Sequence, residues 1–322
     1  MPKQKTSKQK TLQLIKNIKR IVILGHSGFI GSNLEHYFQE KYPNIELVGR
    51  ALPSIDFTKE EELIALKDFF DTNTAVVMLA AIKPNIGNDL ETFVRNVQMV
   101  VNLCKLLQKN PVARLVYFSS AAVYGEDVHN IHITEETPIN SRSYYGISKY
   151  ACERLLWKTF NEQNNEQKNQ QKNEQKNSSL LILRPPVIYG PGEKEVIYNP
   201  AGFVKKALNH EKITLWGDGS EKREFIFIDD IIRIVDYFIF HDYSGILNVA
   251  SGKSYTFNEI IDTLSKLGIK AQLDSRERTK EKADNEFDNK LLVKLMPGFK
   301  FISLNEGIKK VLEYESKISK TK

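Results

Sequence analysis

The chain has 322 residues and a formal net charge of +6, long enough for one large or two modest domains with a sizeable core. That charge is concentrated: residues 1–20 hold six lysines and one arginine with no acid, so the rest of the chain sums to −1. This argues for a solvated basic tail over 1–18 and against a nucleic-acid-binding surface. No run of about 18 apolar residues occurs, so no membrane span is expected. The only cysteines, Cys104 and Cys152, suit neither a disulfide framework nor a metal site. With no apolar leader after the basic start, a reduced, cytoplasmic setting is expected.

The first element is "RIVILG" (20–25), an apolar β-branched run that reads as a buried strand. Phe29, Leu34, Tyr37 and Phe38 then fall at helical spacing. "IELVG" (45–49) reads as a strand, "KEEELIALKDFF" (59–70) as a helix and "TAVVMLAA" (74–81) as a third strand. A long helix over 92–110 precedes the strand "ARLVYFSS" (113–120), and a helix carrying Tyr145 precedes the strand "LLILRPPVIYG" (180–190). Strands alternating with helices predict a parallel sheet covered on both faces. Residues 161–177 contain only Asn, Glu, Gln and Lys. With nothing apolar to support order, they read as a solvated extension or a lengthened, exposed helix end. Beyond 190 come a helix over 202–212, a strand-and-turn stretch "ITLWGDGSEKREFIFIDD" (213–230) and a short buried strand "ILNVASG" (246–252). Helices over 256–268 and 303–315 close the chain. These later segments are expected to form a smaller cap over the sheet's C-terminal edge.

"GHSGFIG" (25–31) follows a strand and opens a helix. Gly25 permits the tight turn, Gly28 lets backbone approach a pyrophosphate and Gly31 lets helix and sheet pack closely. The phosphate then rests on the helix N-terminus. The next strand ends at Gly49 and Arg50, about 20 residues on, where an acid suits the ribose hydroxyls of NAD and an arginine the extra phosphate of NADP. No acid follows until Asp56, so NADP is expected ahead of NAD. In "SYYGISK" (143–149), Tyr145 and Lys149 share a helix face as an i,i+4 pair, while Tyr144 is out of register. A cation beside a phenol favours the phenolate, which would lower the phenol pKa towards use in proton transfer.

Gly25, Gly28 and Gly31, "FSSAAVYG" (118–125) and "YYGISK" (144–149) together resemble the extended short-chain dehydrogenase/reductase family. Its NAD(P)-dependent nucleotide-sugar epimerases, dehydratases and reductases match from about residue 20 to the C-terminus. The resemblance implies a Rossmann-type, doubly wound parallel α/β sheet over 19–190 and a smaller C-terminal α/β substrate lobe over 191–322, with 225–250 returning to the sheet. It assigns catalysis to Ser120, Tyr145 and Lys149, with Ser119 as the alternative serine. Ser120 would hydrogen-bond the substrate oxygen, Tyr145 move its proton, and Lys149 lower the tyrosine pKa and hold the nicotinamide ribose. It assigns the cofactor to Gly25, Ser27, Gly28, Phe29, Ile30, Gly31, Arg50, Asp56, Ala80, Ala81, Lys83 and Asn96, along with Tyr145 and Lys149.

"LRPPVIYGPG" (183–192) and "WGDGSEKREFIFIDD" (216–230) resemble the family's substrate blocks, which implies that Ser120, Ala121, Tyr145, Val187 and Arg223 meet a nucleotide-diphosphate sugar. Arg223 would take the diphosphate. Two positions depart from the pattern. Val187 replaces an asparagine that touches substrate in many relatives, and Ala121 and Ala122 stand where the dehydratases carry acids. The expected activity is a 4-keto reductase using NADP, favoured by Arg50; the alternative is a 4-epimerase using NAD, favoured by Lys83. A non-catalytic dinucleotide sensor is a more distant alternative. A homodimer is implied, with no metal, nucleic acid or membrane partner.

Overall fold

Six apolar runs line up, in the computed structural model, as one parallel sheet. The structure describes residues 12–15, 17–169, 178–194, 199–279 and 281–321. In chain order the elements are β1 (Arg20–Leu24), α1 (Phe29–Lys41), β2 (Glu46–Arg50), α2 (Glu60–Ile64), β3 (Thr74–Met78), α3 (Leu90–Lys109) and β4 (Arg114–Phe118). There follow β5 (Asn130–Ile133), α4 (Tyr144–Asn169), β6 (Ser179–Arg184), β7 (Val187–Tyr189), α5 (Pro200–Leu208), β8 (Lys212–Trp216) and β9 (Lys222–Phe227). The chain closes with α6 (Ile228–Phe240), β10 (Gly245–Asn248), β11 (Ser254–Thr256), α7 (Phe257–Lys266), β12 (Gln272–Arg276), β13 (Asn285–Phe287), α8 (Lys290–Leu295) and α9 (Leu304–Thr321).

The large sheet runs β10-β6-β4-β3-β1-β2. The chain winds outward through β1 and β2, then restarts on the other side at β3. The helices that follow β1 and β3 therefore cover opposite faces of the sheet, which opens a crevice at the carboxyl ends of the strands. Side-chain alternation splits the core into two layers. Ile21 and Ile23 of β1 face one way with Leu34 and Phe38 of α1 and Ile234 and Phe238 of α6. Val22 and Leu24 face the other way with Val100 and Leu103 of α3 and Leu156 and Phe160 of α4. Burial on both faces is why these strands read as unbroken apolar runs rather than as alternating ones.

Several expectations change in detail. The helix over 59–70 stops at Ile64 and resumes as a short 3-10 turn at Lys67–Phe69, which still buries Leu63, Leu66 and Phe70. "LLILRPPVIYG" is two strands in different sheets, because Pro185 and Pro186 cannot continue the ladder. β6 stays in the large sheet, while β7 joins β9 and β11 in a three-stranded one. The pairs β12-β8 and β13-β5 join segments far apart in sequence and had no local signal. Part of the expected free tail is docked: Leu14 bridges His241, and Ile15 N donates to Phe240 O at 2.8 Å. Residues 1–11 lie outside the described residues. The polar stretch begins as helix, since α4 continues to Asn169. Gln163 is buried there and donates to Leu107 O at 2.6 Å; residues 170–177 lie outside the described residues.

Candidate active site

The glycine loop sits at the crevice. Gly25 adopts φ +98°, and a Cβ there would lie 2.8 Å from Ala80 N, so the loops after β1 and β3 touch. A Cβ on Gly31 would lie 2.3 Å from Gly25 O, which packs α1 tightly under the turn. At Gly28 a Cβ would meet only Gly25 O, at 3.4 Å. Gly28 is also the N-cap of α1 and gives no side-chain cap, so first-turn amides are left to an anion. Open space over Gly28 and uncapped amides beneath it fit a dinucleotide pyrophosphate.

The other expected cofactor residues divide. Ser27 is exposed, and Phe29, Ile30, Ala80 and Ala81 are half-buried along the same loops. Asn96 is buried, and both ends of its amide are occupied by Ile82: Ile82 N donates at 2.7 Å and Ile82 O accepts at 3.0 Å. Its place is to shape the loop bearing Lys83 rather than to offer a free group. Asp56 is likewise turned inward, with Oδ1 accepting from Thr58 N and Oγ1. Those bonds hold its carboxyl below the usual range. Arg50 donates to Gly49 O at 2.7 Å, and its guanidinium lies 5.3 Å from the centre of the Phe69 ring.

Ser120, at the end of β4, caps the short turn Ala121–Tyr124, and its Oγ accepts from Ala122 N at 3.1 Å. Tyr145 lies in the first turn of α4, where its N donates to Asn88 Oδ1 at 3.1 Å. The Ser120 hydroxyl lies close enough to the Tyr145 phenol to favour its ionised form. Lys149 is one turn further on, buried, with Nζ donating to Phe118 O at 2.6 Å and lying 5.7 Å from the Tyr145 ring centre. The three side chains thus meet. Tyr144 is 42% exposed and packs beside Phe93, away from them. Ser119 is buried and donates to Glu153 at 2.5 Å, which leaves Ser120 as the serine facing the site.

The electrostatics differ from expectation. Burial, with the Glu126 carboxylate nearby, pushes the Tyr145 phenol up to about 12, offset only in part by the neighbouring Ser120 hydroxyl. Lys149 does not lower it. Burial pulls the lysine itself down to about 8, and its ammonium is directed at a backbone carbonyl rather than at the phenol oxygen. At neutral pH Tyr145 is therefore a protonated acid, ready to give a proton to a carbonyl oxygen.

Beside Tyr145 lies a cavity of about 650 Å³ lined by Asn88, Glu126, Asp127, Arg142, Ser143 and Glu281. Arg223 borders it through a 3.2 Å bond to Glu126 O. Its guanidinium is mostly engaged by protein: it pairs with Glu221 and donates to Lys222 O and Ala283 O. It is not the open fork that was expected, and a diphosphate would have to compete with Glu221. Val187 is half-buried in β7, and Ala121 half-buried in the turn after Ser120.

Beneath the site lies a polar network that the motif reading did not reach. Glu153, one turn after Lys149, accepts from Arg184 Nε at 2.9 Å and Nη2 at 2.6 Å. Arg184 Nη1 donates to Tyr124 OH at 2.8 Å, and Tyr124 donates to Asn248 at 2.8 Å. The available signals were an acid four residues after Lys149 and an arginine closing an apolar strand.

The sequence model of the NAD dependent epimerase/dehydratase family matches residues 21–250. The chain belongs to that family. It is accordingly an NAD(P)-dependent enzyme of the nucleotide-sugar epimerase, dehydratase and reductase group. This family member is 26% identical over 325 residues to the putative UDP-glucose 4-epimerase of Methanocaldococcus jannaschii, spanning 94% of this chain and 100% of that one. In fold it is similar to a GDP-L-fucose synthetase from Naegleria fowleri bound to NADP, with TM-score 0.77, 17% identity and coverage of 98% and 99%. It is also similar to the Thermus thermophilus UDP-glucose 4-epimerase in complex with NAD, with TM-score 0.74, 21% identity and coverage of 92% and 98%. Among the described residues, no helix is long and apolar enough to cross a membrane.

Proposed function

We propose that this chain acts at C4 of a nucleotide-diphosphate sugar as a 4-epimerase. The observation that carries the reading is the meeting of Ser120, Tyr145 and Lys149 with alanines, Ala121 and Ala122, directly after the serine. That set moves one proton at one oxygen and lacks the extra acid that a dehydratase needs. A nicotinamide held there would supply reversible hydride transfer at C4. The positive charge of an oxidised nicotinamide bound beside it would favour the Tyr145 phenolate against the effect of burial, so that Tyr145 could take the hydroxyl proton as C4 becomes a ketone and give it back on reduction. Ser120 orients the oxygen, and Lys149 holds the nicotinamide ribose. Gly25, Gly28 and Gly31 with the start of α1 seat the pyrophosphate, and Arg223 serves the diphosphate edge of the cavity. The name of the full-length M. jannaschii relative supports this reading.

A second reading, the 4-keto reductase, is favoured by Arg50, which suits a 2′-phosphate. The deciding experiment incubates purified protein with UDP-glucose and NAD, and separately with a 4-keto nucleotide sugar and NADPH. Interconversion of two saturated nucleotide sugars without net NADPH oxidation supports the epimerase. Stoichiometric NADPH oxidation overturns it in favour of the reductase. A homodimer belongs to the same proposal: Leu90 and Val94 of α3 and Tyr144 and Ile147 of α4 are exposed, and a second copy would cover them. Light scattering reads the mass.

A further inference from the structure

The end of β2 carries an arginine and no acid, yet the tertiary structure brings an acid to the same place from α1. Glu35 Oε2 lies 3.1 Å from His26 Nδ1. Both side chains lie directly over Gly49, where a Cβ would fall 2.5 Å from Glu35 Oε1 and 2.6 Å from His26 Nδ1. Any side chain at position 49 would displace the pair, so the glycine there makes room for it. The pair adjoins Arg50 as well: Gly25 N and His26 N donate to Arg50 O at 2.7 and 3.4 Å. Glu35 and His26 remain open to solvent, with side chains 27% and 30% exposed.

In this fold the end of the second strand receives the adenosine ribose, and an acid there accepts its hydroxyls while an arginine meets a 2′-phosphate. Here both kinds of group are present without cancelling each other. Among the described residues Glu35 forms no ion pair with Arg50, and its Oε1 accepts no hydrogen bond. Resting on the dinucleotide reading above, we propose that Glu35, steadied by His26, is the acceptor for the adenosine ribose hydroxyl, so that the site takes NADH as well as NADPH. Arg50 serves the phosphate and Glu35 the hydroxyl. Glu35 is a specificity-determining residue supplied by a helix, and Arg50 alone does not exclude NAD.

The two contacts make opposite demands. A carboxylate rewards a hydroxyl donor and repels a phosphate, whereas a guanidinium rewards the phosphate. Glu35→Gln keeps the shape and removes the charge. It is expected to raise the dissociation constant for NADH about tenfold, the scale of one hydrogen bond to a charged group. NADPH should bind as well as before or more tightly. Arg50→Ala is expected to do the reverse, weakening NADPH about tenfold and leaving NADH nearly unchanged. Both constants come from fluorescence titration of the reduced dinucleotides onto the purified full chain without sugar, so no turnover is needed. Melting temperatures confirm that each variant is folded.

A Glu35→Gln variant that weakens both dinucleotides equally, or neither, overturns the assignment. In the first case Glu35 only holds the loop through His26; in the second it does not meet the ribose. If the unaltered chain binds neither dinucleotide, the dinucleotide reading itself falls together with the assignment, so the two failures are told apart.

Discussion

Removing the Glu153 carboxylate should destabilise the protein by about 3–5 kcal/mol, far beyond the loss of a surface ion pair. Glu153 and Arg184 are only 1% and 2% exposed, so the guanidinium has no water to turn to. In Glu153→Ala it loses the 2.9 and 2.6 Å bonds and keeps the Tyr124 hydroxyl at 2.8 Å, which carries no charge to offset it. Ser119 loses its acceptor as well, adding about 1 kcal/mol for a stranded hydroxyl. Urea unfolding followed by circular dichroism and tryptophan fluorescence gives the difference, provided the two transitions coincide. The double variant Glu153→Met/Arg184→Met should recover much of the loss, because apolar replacements of similar size remove the stranded charge. Its activity should stay low, since Ser119 adjoins Ser120 and Glu153 lies one turn from Lys149. A loss below about 1 kcal/mol in Glu153→Ala would mean that the pair is hydrated, and the reasoning from burial would fail.

Tyr145→Phe should lower kcat by about two orders of magnitude or more while dinucleotide binding survives. Tyr144→Phe should change little, and a larger loss there would place the proton on the wrong tyrosine. Because Lys149 is pulled down from 10.5 to about 8, its ammonium disappears as pH rises through about 8, and dinucleotide affinity should fall with it. Lys149→Met should flatten that profile, and an unchanged alkaline midpoint would refute the role. The same shift has a stability consequence of opposite sign: between pH 8 and 10.5 the unfolded chain holds the proton more tightly, so Lys149's contribution to unfolding free energy rises with pH across that window. Replacing residues 166–177 by a short Gly/Ser link should leave the melting temperature unchanged. Gln163→Ala should cost about 1 kcal/mol, because Leu107 O loses its donor; urea unfolding measures it, and a larger loss for the link would show that the polar segment docks.

Local patterning was enough for much of the architecture. Strands buried on both faces must be apolar throughout, so β1, β3, β4 and β6 announce themselves. Gly25 and Gly31 are legible because backbone meets backbone there and no other residue leaves room. Tyr145 and Lys149 are legible because helical spacing puts them on one face. Partner choice across the chain was not legible, since a side chain at one position carries no mark of what will approach it. The sequence therefore could not tell that Asn96 would be spent on Ile82 or Arg223 on Glu221, or that β5 would find β13. Nor could it show that Glu153 would meet Arg184, or that Glu35 would reach over Gly49. The direction of the Tyr145 pKa belongs with these. A neighbouring lysine argues for a lower value, but in the assembled fold Lys149 turns to Phe118 O, and desolvation by everything packed around the ring raises the phenol.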